Sequence, residues 1–177
     1  IQDLGSMDVL CTDKTGTLTQ ACVRVEQHVD ADGRTDGRVL ELAWVNSHFE
    51  SGLRSPLDDA ILAAPGMADT GWRKLDELPF GFERRRVAVL VEKAGQRILV
   101  VKGAPEDVLA ACGSLQRGNE VLSLDAGARA SAMARFDAFS RDGLRVLAVA
   151  SRPMPPGCEH VVPGDERDLV FAGFVVF

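Results

Sequence analysis

Apolar and polar positions change rhythm several times along this chain. Val23, Val25 and Val29 alternate weakly with polar neighbours until Asp30-Ala31-Asp32-Gly33, which predicts a strand running into a turn. Asp36 to Glu50 reads as a helix. Ser55-Pro56 is the pattern of an N-cap followed by a first-turn proline, opening a second helix through Leu57, Ile61 and Leu62. Val87 to Glu92 and Arg97 to Lys102 are β-rich runs separated by a turn around Ala94-Gly95, so a hairpin is expected there, in the middle of a sheet. Gly103-Ala104-Pro105-Glu106-Asp107 starts a third helix that should end near Cys112, with two acids complementing the helix dipole. Asp125 caps a fourth helix in which Met133, Phe136 and Phe139 share an apolar face, and Gly143 stands where a C-terminal cap belongs. A strand from Leu144 to Ser151 follows, then an irregular Pro- and Gly-rich loop over Arg152 to Asp168, then a final strand.

The N-terminal segment differs from all of this. Met7 to Thr12 reads as a strand and Gly16 to Gln20 as the loop leaving it, yet the chain carries no convincing series of βαβ units to cover both faces of such a strand. Two parts are therefore expected. Residues 1–20 are one strand and loop of a Rossmann-like domain, and residues 21–177 form an α/β domain of the α+β type, a mainly antiparallel sheet flanked by helices. Both ends look like cuts in a longer protein.

Bulk composition narrows the function classes. With 46% hydrophobic and 26% charged residues the chain is an ordinary globular sequence, and its net charge of −6 argues against nucleic-acid or anionic-membrane partners. Cys11, Cys22, Cys112 and Cys158 are scattered and the three histidines are far apart, so reduced, buried thiols on a cytosolic face are expected and a zinc site or disulfide framework is not. The longest apolar stretches, Leu144 to Ala150 and Leu169 to Phe177, fall short of the ~20 residues that span a bilayer.

The candidate chemistry lies in Asp13-Lys14-Thr15-Gly16-Thr17-Leu18-Thr19. A carboxylate at the C-terminal edge of a parallel strand, beside a tight Gly turn, can meet backbone donors, a lysine and a divalent ion directed at phosphate oxygens, which makes Asp13 the candidate phosphoryl acceptor. Aspartate-nucleophile phosphatases carry a second Asp two residues on as general acid and base. Here that position is Thr15, which does not titrate near neutral pH, so a phosphoryl group on Asp13 should persist.

At these seven residues the chain resembles the P-type cation-transporting ATPases, which implies that the Rossmann-like part is their HAD-like phosphorylation domain. The resemblance implies that Asp13, Lys14, Thr15 and Thr17 form the catalytic set, with Mg²⁺ held at Asp13 and Thr15. A soluble aspartate-nucleophile phosphatase with a large cap is the alternative. It would turn over small phosphate esters unaided, and Thr15 argues against it.

No Gly-x-x-x-x-Gly-Lys or Gly-x-Gly-x-x-Gly string is present, so nucleotide recognition would need individual side chains. Pro79-Phe80-Gly81-Phe82-Glu83-Arg84-Arg85-Arg86 brings aromatics and cations together, and alternation sends neighbours to opposite faces, one toward the core and one toward a pocket. By itself that segment reads rather as a core aromatic beside a solvated basic edge. The P-type resemblance selects the pocket, because Lys102-Gly103-Ala104-Pro105-Glu106 is similar to the string in that family's nucleotide domain. It implies Lys102 at the pocket, Gly103 letting the ligand approach the backbone, Phe80 stacking on adenine, Arg85 flanking the pocket, Arg145 reaching the phosphates, and Asp58, or the adjacent Asp59, near the adenine amine.

Met7-Asp8-Val9-Leu10-Cys11-Thr12, Asn46-Ser47-His48-Phe49 and Phe80-Gly81-Phe82-Glu83-Arg84-Arg85-Arg86 look most like the bacterial magnesium-transporting members. What the resemblance implies as a whole is an ATP- and Mg²⁺-dependent pump at a bacterial inner membrane. This chain would be cytoplasmic, with the pump's phosphorylation, actuator and transmembrane domains as its partners.

Overall fold

Eight strands share one sheet in the computed structural model, which describes residues 23–52, 54–66 and 71–177. The expectations for the strand at Met7 to Thr12 and for Asp13, Lys14, Thr15 and Thr17 lie outside the described residues. In chain order the elements are β1 (Gln27–Asp30), α1 (Gly37–Phe49), α2 (Pro56–Leu62), β2 (Arg73–Gly81), β3 (Arg86–Lys93), β4 (Gln96–Gly103), α3 (Pro105–Ala111), β5 (Cys112–Arg117), β6 (Glu120–Ser123), α4 (Ala126–Arg141), β7 (Val146–Met154) and β8 (Leu169–Val176). Spatially the strands run β2-β3-β4-β7-β8-β5-β6, with β1 also paired to β8. Every pairing is antiparallel except β5 with β8.

Period-two alternation along the central strands builds two cores, because successive side chains leave opposite faces of the pleat. Val89 and Val91 of β3, Val100 of β4, Val149 of β7 and Val175 of β8 meet Val39, Ala43 and Val45 of α1 and Ile61 of α2. Their sequence neighbours Ala88, Leu90, Leu99, Val101, Ala148 and Phe174 meet Val108 and Leu109 of α3 and Ala132 of α4 on the other face. Strands buried on both faces read as continuous apolar runs, which is why Val87 to Val91 and Leu99 to Val101 announced the centre of the sheet.

The helix ends follow their sequence signals. Asp36 accepts from Arg38 N at 2.8 Å to open α1, Ser55 and Asp58 form a reciprocal capping box at α2, and Asp125 accepts from Ala128 N at 2.8 Å to open α4. Gly143, at φ +81°, closes α4.

Three parts of the chain are more regular than the sequence suggests. Segment 73–81, which carries no strand pattern in the sequence, is the edge strand β2, whose register shifts at Lys74/Asp76 and at Leu78/Gly81 and which tolerates Pro79 because an edge needs fewer ladder donors. The β5–β6 hairpin follows α3 without a connecting residue, so no turn signal separates them. β7 also runs past Ser151 to Met154, pairing there with β4 alone, so the irregular loop begins only at Pro155.

Candidate functional site

The middle of the sheet ends in a cleft of about 560 Å³, bounded by α2, the β2–β3 turn and the start of α3. Leu57, Val87, Phe136, Val146 and Leu147 make it mostly apolar, while Glu50, Asp58, Arg85, Lys102 and Glu106 supply charge. A concave, apolar site of ~300–1,000 Å³ with a few convergent polar groups is the general form of a small-molecule site.

Lys102 forms the polar floor. It is the penultimate residue of β4, paired with Val87 on one side and Val149 on the other, and it turns to the face covered by α1 and α2. Only 5% exposed, it cannot leave its charge in water. Its ammonium donates to Asp58 Oδ1 and to Ser47 Oγ at 2.7 Å, and lies 3.5 Å from Glu50 Oε2. Ser47 in turn donates to Asp58 Oδ1 at 2.9 Å, and Ser55 donates to Asp58 Oδ2 from its amide at 3.0 Å and its hydroxyl at 2.6 Å.

The two acids respond oppositely to this setting. Burial drives the Asp58 carboxyl upward, but the Lys102 ammonium and the hydrogen bonds from Lys102 and Ser55 outweigh it and hold the group at about 2. For Glu50 burial prevails: desolvation, reinforced by the charge of Asp58, exceeds the pull of Lys102 and pushes the carboxyl up to about 7.

The opposite wall comes from the β2–β3 turn. Phe80 is half exposed into the cleft, edge-on to the exposed Phe82 at 5.4 Å. The three consecutive arginines divide their work. Arg84 Nη1 and Arg86 Nε hold the two oxygens of the fully buried Glu166 carboxylate at 2.6 and 3.0 Å, and Arg84 Nη2 also donates to Pro79 O at 2.6 Å. Arg85, between them, takes a left-handed φ of +49°, lines the cleft and pairs with Asp107 at 3.2 Å.

Gly103 lines the cleft and also has a steric reason to be glycine. A Cβ there would lie 2.5 Å from both Arg85 O and Arg86 Cβ, so the side chain is missing because the neighbouring strand occupies its space. Ala104 N donates to that same Arg85 O at 3.0 Å, tying α3 to the turn. Arg145 is exposed and precedes the lining residue Val146, with its backbone paired to Phe177; it is not itself a wall of the cleft. Asp59 is exposed next to the buried Asp58, so Asp58 is the acid that meets Lys102.

Phe80, Arg85, Asp58, Lys102 and Gly103 are thus brought to one cleft. Sequence reasoning missed Ser47 and Glu50, which lie three residues apart at the end of a correctly expected helix and so share a face, a signal that was available. Glu166, inside what read as irregular loop, had no local signal. Cys112 is buried with its thiol pushed up to about 12, which leaves it an inert core residue.

Residues 21–177 match the sequence profile of the P-type ATPase cytoplasmic domain N. The whole chain aligns at 42% identity over 184 residues with magnesium-transporting ATPase, P-type 1, of Escherichia coli K12, and covers 20% of that protein. The protein of the same name from Salmonella typhimurium 14028s is 40% identical over 185 residues, again all of this chain and 20% of the relative. Calcium-transporting ATPase 1 of Lactococcus lactis is 29% identical over 195 residues, 98% of this chain and 22% of the relative. The chain therefore spans about a fifth of the length of these relatives. Among the described residues no helix is long and apolar enough to cross a membrane.

Proposed function

This chain belongs to the P-type ATPase family, and on that premise we propose that it is the ATP-holding lobe of a cation pump, with the base of the nucleotide in the cleft between Phe80 and Lys102. The observation that carries this reading is the union, in one mostly apolar cleft, of a half-exposed aromatic ring and a buried lysine held by carboxylates. An aromatic face stacks a base, and apolar walls exclude the water that would compete for its polar edge. Arg85, which lines the cleft, and the exposed Arg145, next to the lining residue Val146, are the cations for the phosphates.

In the whole protein the lobe would deliver the γ-phosphate to Asp13. A carboxylate oxygen of Asp13 forms a bond to the γ-phosphorus while the bond to the β-phosphate bridging oxygen of ADP breaks. Mg²⁺, held by Asp13 and Thr15, would neutralise the transferring oxygens, with Lys14 and Thr17 beside them. The magnesium-transporting relatives favour Mg²⁺ as the cargo and a bacterial inner membrane, with this lobe on its cytoplasmic side, as the setting. Phosphorylation, actuator and transmembrane domains would complete the pump.

Alone, the chain should bind ATP without turning it over. Titrating ATP into the protein while following amide NMR signals should displace resonances at Phe80, Gly103 and Lys102. Phe80→Ala should weaken binding at least about tenfold, as loss of a base-stacking ring does. Unchanged affinity in Phe80→Ala, or shifts confined to another face, would refute the assignment.

A further inference from the structure

Asp58 has no acceptor capacity left for a ligand. An ionised carboxylate offers about four lone-pair positions, and Asp58 fills them with Lys102 and Ser47 on Oδ1 and with the amide and hydroxyl of Ser55 on Oδ2. The three protons of Lys102 are likewise directed at Asp58, Ser47 and Glu50. Glu50 is in another position. Its side chain is 6% exposed and lines the cleft, and it has the loose 3.5 Å approach to Lys102 and a carboxyl hydrogen bond to Asp58, whose own acceptor positions are already filled.

Charge counting adds a second constraint. Two carboxylates share one ammonium, so with both acids ionised the cluster would carry an uncompensated negative charge against apolar walls. A proton on Glu50 removes that charge. A neutral carboxylic acid presents one O–H donor beside one carbonyl acceptor, and the edge of adenine presents the complementary pair, an N6 amine that donates and an N1 that accepts.

We propose that Glu50, as a neutral acid, reads the adenine edge of the nucleotide, its carbonyl oxygen accepting from the N6 amine and its hydroxyl turning from Asp58 to donate to N1. This deepens the nucleotide-binding reading of the cleft and rests on it. It gives Glu50 the role that the family resemblance assigned to Asp58, and makes Asp58 the residue that positions Lys102. The upward displacement of the Glu50 carboxyl to about 7 agrees with the geometry. The charged groups facing Glu50 are Lys102 from β4 and Asp58 from α2, with Arg85 of the β2–β3 turn and Glu106 of α3 elsewhere around the cleft. His48, on the same helix, is stacked on Trp44 at 4.5 Å.

Adenosine is the appropriate probe, because it has no phosphate whose own titration would obscure that of Glu50. By NMR titration its affinity for the wild-type chain should fall about tenfold or more between roughly pH 6 and pH 8.5, as Glu50 ionises. Glu50→Gln, whose amide keeps a donor beside an acceptor at every pH, should bind adenosine equally at both values. Glu50→Ala should bind it weakly at both, with its amide spectrum confirming the fold. Wild-type affinity that stays flat or rises with pH, Glu50→Ala affinity equal to wild type, or ATP binding without adenosine binding at the lower pH would overturn the Glu50 assignment alone. Failure of wild type and Glu50→Gln alike to bind ATP would overturn the underlying nucleotide reading.

Discussion

Glu166 Oε1 and Arg84 Nη1 meet at 2.6 Å across 82 residues of sequence. With Arg86 on its other oxygen, Glu166 fastens the β2–β3 turn to the loop ahead of β8 and leaves Arg85 as the arginine of the triplet that lines the cleft. A fully buried carboxylate with two guanidinium partners is costly to break, because whichever side remains keeps its desolvation without its partner.

Glu166→Ala should therefore destabilise the protein by about 3–5 kcal/mol, and Glu166→Gln by less, since the amide oxygen still accepts one hydrogen bond. Urea unfolding measures both. Equal stability of Glu166→Ala and wild type would show that the triad holds nothing.

Gly103→Ala places a methyl group 2.5 Å from Arg85 O and Arg86 Cβ, where β3 and β4 are fully paired. Relief requires the strand ends to part, at a cost of about 1–3 kcal/mol. A thermal midpoint unchanged by this substitution would contradict the close packing.

Arg85→Ala should separate binding from stability. Its pair with Asp107 is 57% and 31% exposed on the two sides, and pairs of that kind contribute about 0–1 kcal/mol. Affinity for ATP should nevertheless drop several-fold, measured by calorimetric titration alongside urea unfolding. A large loss of stability with intact affinity would reverse the reading.

Stability should depend on pH through the two acids, with opposite signs. Asp58 falls from 3.8 to about 2 on folding, so its contribution is complete above pH 3.8 and disappears as pH drops toward 2. Glu50 rises from 4.5 to about 7, so the folded state holds that proton more tightly than the unfolded chain. Its contribution is complete below pH 4.5 and is lost as pH climbs through 7, on the order of 2 kcal/mol after allowance for its opening to the cleft. Urea midpoints should decline between about pH 5 and pH 8 in wild type and much less in Glu50→Gln. The same decline in both proteins would exclude Glu50 as its source.

Local signals were strong where a single residue type does one backbone task. Asp36 and Glu50 bracket α1 as expected, Ser55-Pro56 opens α2, and the hairpin around Ala94-Gly95 forms the middle of the sheet. They were weak for β2, whose Arg73, Lys74, Asp76, Glu77 and Pro79 lack the β-branched alternation of a buried strand because an edge strand does not need it.

The sequence by itself determined the alternation that gives the sheet two buried faces, the helix caps, and the strings around Asp13 and Lys102 that carry the family resemblance. Tertiary structure alone decided which partners each charge keeps. Lys102 reaches Asp58 across 44 residues, Glu166 holds Arg84 across 82, and Gly103 owes its missing side chain to the backbone of Arg85. The physical reason is that caps and alternation depend on neighbours a few residues away. Desolvation and charge pairing depend on which distant segments the packed sheet brings together, and that is what sets Glu50 beside Lys102 and Asp58.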